Sequence, residues 1–203
     1  MPFRINIKLS FTKNLLATFV FMRRIAFFLA FITLISCTKD REIVDNQDIP
    51  NNNPTEIKAG SLFINEFVAK GSTNVNENGT YEDWIEIYNP NSYNLNMAAG
   101  HWFVTDDLSD PGKFELPPLT LASHGFLLIW CDGQTGNDIH ADFKLSSGGE
   151  SIGIFYKDST NQFVTVDSLN FGAQNDGVSK GRFPDGSNTW QYFNIPTPGK
   201  SNN

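Results

Sequence analysis

An all-β fold, an immunoglobulin-like antiparallel β-sandwich, is predicted over residues 61–203 by three observations. The first is apolar–polar alternation in short runs: Ser61-Leu-Phe-Ile-Asn-Glu-Phe-Val68, Trp84-Ile-Glu-Ile-Tyr88, Trp102-Phe-Val-Thr105, Ile152-Gly-Ile-Phe-Tyr156 and Phe163-Val-Thr-Val-Asp-Ser-Leu169. That period places one face of each run in a core. The second is punctuation: Asn78-Gly79, Asp132-Gly133, Ser147-Gly148-Gly149, Asp176-Gly177 and Asp185-Gly186 carry turn chemistry between the runs. The third is that no window of twelve residues combines a 3.6-residue period with helix caps. Seven to nine short strands at this spacing are expected, as in an immunoglobulin-type sandwich.

Taken in order, residues 61–68 form the first strand, with Glu66 on the face of Ile64 and Val68, and residues 84–88 the second, with Glu86 on the face of Trp84 and Tyr88. One of the two glutamates is expected to point inward, where a carboxylate needs a charged or hydrogen-bonding partner. Arg182, whose planar fork takes a carboxylate through two bonds, is the expected partner in a structural ion pair with Glu66 or Glu86. Phe126-Leu-Leu-Ile-Trp-Cys131 is strongly apolar, so Cys131 reads as a small buried hydrophobe. It is the one cysteine beyond Cys37, so no intramolecular disulfide staples the domain and the core must be mostly aromatic, from the 11 Phe and 4 Trp of residues 61–203.

Ahead of the domain, Arg23-Arg24 heads an uncharged apolar stretch over residues 25–36, and Thr38-Lys39-Asp40-Arg41-Glu42 follows Cys37. A basic head, a short apolar run and a small residue before the polar switch make a secretory signal peptide. Leu34-Ile35-Ser36-Cys37 resembles the lipobox of bacterial lipoproteins, which implies cleavage between Ser36 and Cys37 and acylation of Cys37. Twelve apolar residues fall short of the roughly 20 a membrane-spanning helix needs. A longer span would carry Arg23-Arg24 into the bilayer at a cost of several kcal/mol. Met22 begins a complete signal by itself, so residues 1–21 read either as an upstream extension from a mis-assigned start or as an unusually long n-region. Residues 1–36 are therefore set aside as signal. Residues 37–60 form a lipidated, disordered tether: Asn46-Gln-Asp-Ile-Pro-Asn-Asn-Asn-Pro54 is polar, aperiodic and broken by proline. Such a coil spans on the order of 25–30 Å.

Removal of the five basic residues of 1–36 takes the net charge from −7 to −12. A surface of that sign repels phosphate backbones, which excludes nucleic-acid binding through a basic patch. Lys39-Asp40 resembles the export signal by which one large Gram-negative phylum places lipoproteins on the cell surface. The expected location is the outer membrane, lipid-anchored and surface-exposed, not the cytoplasm.

Catalytic constellations are sparse. His101, His124 and His140 follow no metal-ligand spacing, and no Gly-x-Ser-x-Gly elbow or phosphate-cradling loop occurs. His124, before Gly125, reads as a surface loop residue. The expectation is a non-enzyme without cofactors. Asp106, Asp107 and Asp110 supply the oxygen ligands calcium takes, though outside the EF-hand pattern, and are the candidate cation site. Ser159 and Ser168, in Asp158-Ser159-Thr160 and Asp167-Ser168-Leu169, resemble bacterial O-glycosylation acceptors, whereas Asn78-Gly79-Thr80 reads as a hairpin turn.

Ile64-Asn65-Glu66 and Asp83-Trp84-Ile85-Glu86-Ile87-Tyr88-Asn89 resemble the opening of the lamin tail domain family. The likeness continues through Thr105-Asp106-Asp107, Phe114-Glu-Leu-Pro117, Leu121-Ala-Ser-His-Gly-Phe-Leu-Leu128, Phe143-Lys-Leu145 and Gly149-Glu150-Ser151-Ile152. It closes on Gly181-Arg182-Phe183-Pro184-Asp185-Gly186 and Thr197-Pro198-Gly199. Leu95-Asn-Met-Ala-Ala-Gly-His-Trp102 is longer than the family's Leu-x-Gly-Trp and is expected to bulge a strand. The resemblance implies an immunoglobulin-like sandwich serving as a non-catalytic binding or adhesion module for a protein or glycan ligand. Trp102, Trp130 and Trp190 would be the contacts if exposed. The second implied reading is an accessory targeting subunit for a separately encoded extracellular hydrolase of nuclease or phosphatase type.

Overall fold

A computed structural model of the chain describes residues 56–202. These lie in the larger of two contact units, Asn46–Asn203. Signal peptide, Ser36, Cys37 and most of the tether lie outside the described residues.

Among the described residues the fold is all-β, with twelve strands and no helix. The strands are β1 (Phe63–Val68), β2 (Asp83–Tyr88), β3 (Leu95–Met97), β4 (Trp102–Thr105), β5 (Phe114–Glu115) and β6 (Leu119–Leu121). They continue with β7 (Phe126–Cys131), β8 (His140–Ala141), β9 (Gly149–Lys157), β10 (Phe163–Gly172), β11 (Ser179–Arg182) and β12 (Trp190–Phe193). The five alternating runs all become strands. The count exceeds seven to nine because several pieces are two or three residues long, below what periodicity resolves.

One sheet runs β12-β11-β1-β2-β7-β8, a second β10-β9-β4-β5, and β3 pairs with β6 alone. All pairs are antiparallel except β7–β8. The core between the sheets takes Ile64, Phe67, Ile85, Ile87, Ile129 and Cys131 from the first sheet and Trp102, Val104, Ile152, Ile154 and Val166 from the second. All five turn dipeptides named above hold their last glycine at positive φ.

Register is where the prediction fails. A bulge between Ile64 and Glu66 gives the bulged strand an extra residue. Ile64 and Phe67 consequently enter the core while Glu66 turns to the opposite face, so Glu66 does not share a face with Ile64. That outer face is itself covered: Val68, Trp84 and Trp130 form a second cluster on it, with Leu128 packed alongside. A further bulge lies between Thr165 and Asp167. Residues 98–101 form a turn between β3 and β4 rather than the expected bulge, with Gly100 at φ 77°.

Candidate functional site

Three clusters of polar side chains hold the buried charges His140, Arg182, Glu66 and Glu86. The first centres on Arg182, 5 % exposed. Its Nη2 donates to Asp167 Oδ2 at 2.9 Å, Nε to Ile64 O at 2.8 Å and Nη1 to Ser187 O at 2.5 Å. The guanidinium carbon lies 4.6 Å from the Trp190 ring centroid and 5.0 Å from that of Phe63. Arg182 therefore forms a structural ion pair, but with Asp167 and not with Glu66 or Glu86. The reason is geometric: the guanidinium reaches strand β10 of the second sheet, whereas the two glutamates lie on the outer face of the first. Burial pushes the Asp167 carboxyl above its usual range, and Arg182 opposes the shift.

The second is the glutamate cluster itself. Glu66 and Glu86 stand directly opposite each other on β1 and β2, and neither is exposed. Among the described residues no cation reaches them; hydrogen-bond donors do. Asn65 Nδ2 donates to Glu86 Oε1 at 3.0 Å and to Asp185 Oδ1 at 2.9 Å, and Gly199 N donates to Glu86 Oε2 at 2.6 Å. Glu66 accepts from Ser179 Oγ and from Thr197 N, the latter at 3.2 Å to each carboxyl oxygen. Burial, together with the neighbouring Glu66 and Asp185, pushes Glu86 up to about 8, against the bonds from Asn65 and Gly199. Glu66 is raised as well, again first by burial.

Thr197 Oγ1 stands 2.8 Å from Glu66 Oε2 and 2.7 Å from Asn202 Oδ1. A hydroxyl has one proton to donate. The hydroxyl therefore donates to Glu66 Oε2 or to Asn202 Oδ1, one at a time. Residues 197–202 thus lie as a strap across the outer face, closed by Asn202 Nδ2 on Arg182 O at 3.0 Å. Gly181 makes the strap's approach feasible, since a Cβ there would meet Asn202 Nδ2 at 2.7 Å and Glu66 Cγ at 3.1 Å.

The third place is His140, 8 % exposed. Its Nδ1 faces Asp132 Oδ2 at 2.9 Å and its Nε2 faces Glu77 Oε1 at 2.9 Å. Burial alone would lower the imidazole's pKa; the bonds to both carboxylates outweigh it and hold the ring above its ordinary value. With a carboxylate at each nitrogen, the ring is anchored at both ends rather than a base free to take a nucleophile's proton. Asn137 N also donates to Glu77 Oε1 at 3.1 Å, and Gln134 N to Asp132 Oδ1 at 3.0 Å, so the loop between β7 and β8 is pinned at several points. Beside it a cleft of about 400 Å³ opens between residues 114–117 and residues 134–140.

The remaining expectations fare unevenly. Asp106 pairs with Lys113, while Asp107 accepts from Ser109 N and Oγ within its own turn. Asp106, Asp107 and Asp110 therefore do not converge on a calcium site, and among the described residues no group of three or more acidic, His or Cys side chains has metal-holding geometry. Trp102 and Trp130 are buried, and half-buried Trp190 lies against Arg182, so none is a free contact. Ser159 and Ser168 are both exposed, one in the β9–β10 turn and one on β10. Residues 76–80 form the expected hairpin turn, closed by Asn76 N on Thr80 O at 2.9 Å.

Sequence reasoning missed Asp132, His140 and Glu77, which are separated by up to 63 positions. The turn signals at Asn78-Gly79 and Asp132-Gly133 marked both of the loops His140 ties together, but not that they meet. Asn65, Asp185 and the strap stood within the family-like motifs without an assigned role.

A family model described as Lamin Tail Domain matches residues 55–173. No curated protein matches the chain. The matched span ends before β11, which nonetheless sits between β1 and β12 in the first sheet. With more than half of its length matched and an all-β sandwich of the corresponding kind, the chain belongs to the lamin tail domain family.

Proposed function

We propose that this protein is an envelope lipoprotein, held at the outer membrane through Cys37 and facing outward, whose lamin tail domain is a non-catalytic binding or adhesion module. One observation carries the module reading. The buried ionisable groups Glu66, Glu86, Arg182, Asp132 and His140, with partly buried Asp167, are engaged with one another, with neighbouring polar side chains or with the backbone, while polar side chains at the open cleft face solvent. A site organised in that way holds a ligand rather than transforming it, because catalysis asks for a poised acid, base or nucleophile. The anchor reading is supported by the basic head, apolar run and polar switch around Cys37. It gives the domain a tether and an outward-facing surface.

The test is capture. Full-length chain in detergent, immobilised on beads, is incubated with solubilised envelope of its own cells. Saturable retention of a component, displaced by excess free chain, is expected. No retention would contradict the binding role, and progressive chemical conversion of the retained component would contradict the non-catalytic one.

A further inference from the structure

We infer that the cleft between residues 114–117 and residues 134–140 is a binding site for a neutral saccharide. This deepens the binding-module reading and rests on it.

The cleft lies where the edges of the two sheets meet: β5 ends the second sheet and β8 ends the first. Its volume, about 400 Å³, falls within the range of small-ligand sites, roughly 300–1,000 Å³. One wall is apolar, from Phe114, Leu116 and Pro117; the other is the β7–β8 loop, with Gln134, Asn137 and Asp138. These three loop residues are exposed, and their side chains make no hydrogen bond to any described residue. The backbone that carries them is nonetheless fixed. Trp130 N donates to Ile139 O at 2.8 Å, Gly133 N to Ala141 O at 2.9 Å, and His140 clamps Asp132 to Glu77. A rigid backbone presenting unpartnered polar groups loses little entropy when it binds, which is the signature of a preorganised site.

The chemistry of the walls selects the ligand. A sugar ring offers an apolar C–H face and a rim of hydroxyls that both donate and accept. Phe114 and Pro117 suit the face, and the carboxamides of Gln134 and Asn137, with donors and acceptors side by side, suit the rim. An anionic ligand is disfavoured because no Lys or Arg lines the cleft and both ring nitrogens of His140 are already taken by Asp132 and Glu77, while Asp138 and Glu115 add negative charge. A cation meets one unengaged carboxylate, Asp138, fewer oxygen ligands than it takes: Glu115 accepts from Gly100 N at 2.6 Å, and the nearby Asp132 and Glu77 carboxylates already face His140. An extended peptide would add to a free strand edge, and here both edges, β5 and β8, are two residues long.

Saturation-transfer difference NMR on the full-length chain in detergent tests this with chitotriose, cellotriose, maltotriose and mannotriose. Sialyllactose serves as the anionic comparison and a Gly-Ala-Pro decamer as the peptide comparison. At least one neutral trisaccharide is expected to show saturable transfer, stronger than either comparison. The double substitution Asn137→Ala with Asp138→Ala should weaken it tenfold or more at an unchanged melting temperature. Transfer to none of the four sugars, equal binding by the double variant, or transfer to the decamer alone would overturn the inference. Bead capture separates the two readings: if the sugars fail while envelope components are still retained, the cleft assignment falls and the module stands.

Discussion

At the scale of single residues, Arg182 is the most heavily committed side chain in the domain. It bonds Ile64 O, Ser187 O and Asp167 and lies against two aromatic rings while nearly buried. Removing one partner of a buried ion pair strands the other charge, so Arg182→Ala should cost about 3–5 kcal/mol in urea denaturation. Arg182→Lys should recover little, because an ammonium cannot reproduce the fork or its stacking. A loss under about 1 kcal/mol, the value of an exposed pair, would show that the guanidinium is idle. The sequence identified Arg182 as a structural ion-pair residue but paired it with the wrong acids. Whether a residue faces the core depends on the bulges at Ile64/Glu66 and Thr165/Asp167, and no residue there announces one. Glu86 carries a second prediction at this scale. Its carboxyl ionises near 4.5 when unfolded and near 8 when folded. Between these values the folded state binds the extra proton, so stability falls as pH rises, by about 1.4 kcal/mol per pH unit for one full proton. The contribution is complete below the unfolded value and lost as pH climbs through about 8. Denaturation midpoints should decline from pH 6 to pH 8, and Glu86→Gln should flatten that decline; an unchanged slope in the variant would place the titration elsewhere.

At the scale of elements, the strap over residues 197–202 explains how two facing glutamates remain buried without a cation. Thr197 and Gly199 bring donors to Glu66 and Glu86, and Asn202 ties the strap to the carbonyls of Asn65 and Arg182. Thr197→Val removes the hydroxyl between Glu66 and Asn202 and should cost ~1–3 kcal/mol, the penalty of an unsatisfied buried polar group. Thr197→Ser should restore most of it; equal stability of the Val and Ser variants would contradict the bonding scheme. The strands themselves were legible because alternation and turn dipeptides are local signals. The strap was not, since Thr197-Pro198-Gly199 reads as an ordinary turn until the sheet brings Glu66 and Glu86 beneath it. The loop between β7 and β8 was hidden for the same reason: Asp132 and Glu77 come together on His140 through tertiary contact alone.

At the scale of the whole molecule, two parts share one chain. A lamin tail domain with its buried ionisable residues tied into its own framework keeps an open cleft at the meeting of its sheet edges. Ahead of it stands a sequence with the order of a lipoprotein signal; on the proposed reading Cys37 takes the acyl chain and the polar residues after it are the tether. On the proposed reading, the tether and the acidic surface hold the domain clear of an anionic membrane. The most direct measurement feeds cells an alkyne fatty acid and follows the label on the native chain and on Cys37→Ala, with external protease added to intact cells. The account predicts label on the native chain only, a mature N-terminus at residue 37, and loss of the domain to the protease. An unlabelled native chain retaining residues 22–36 and recovered in the cytosol would contradict it.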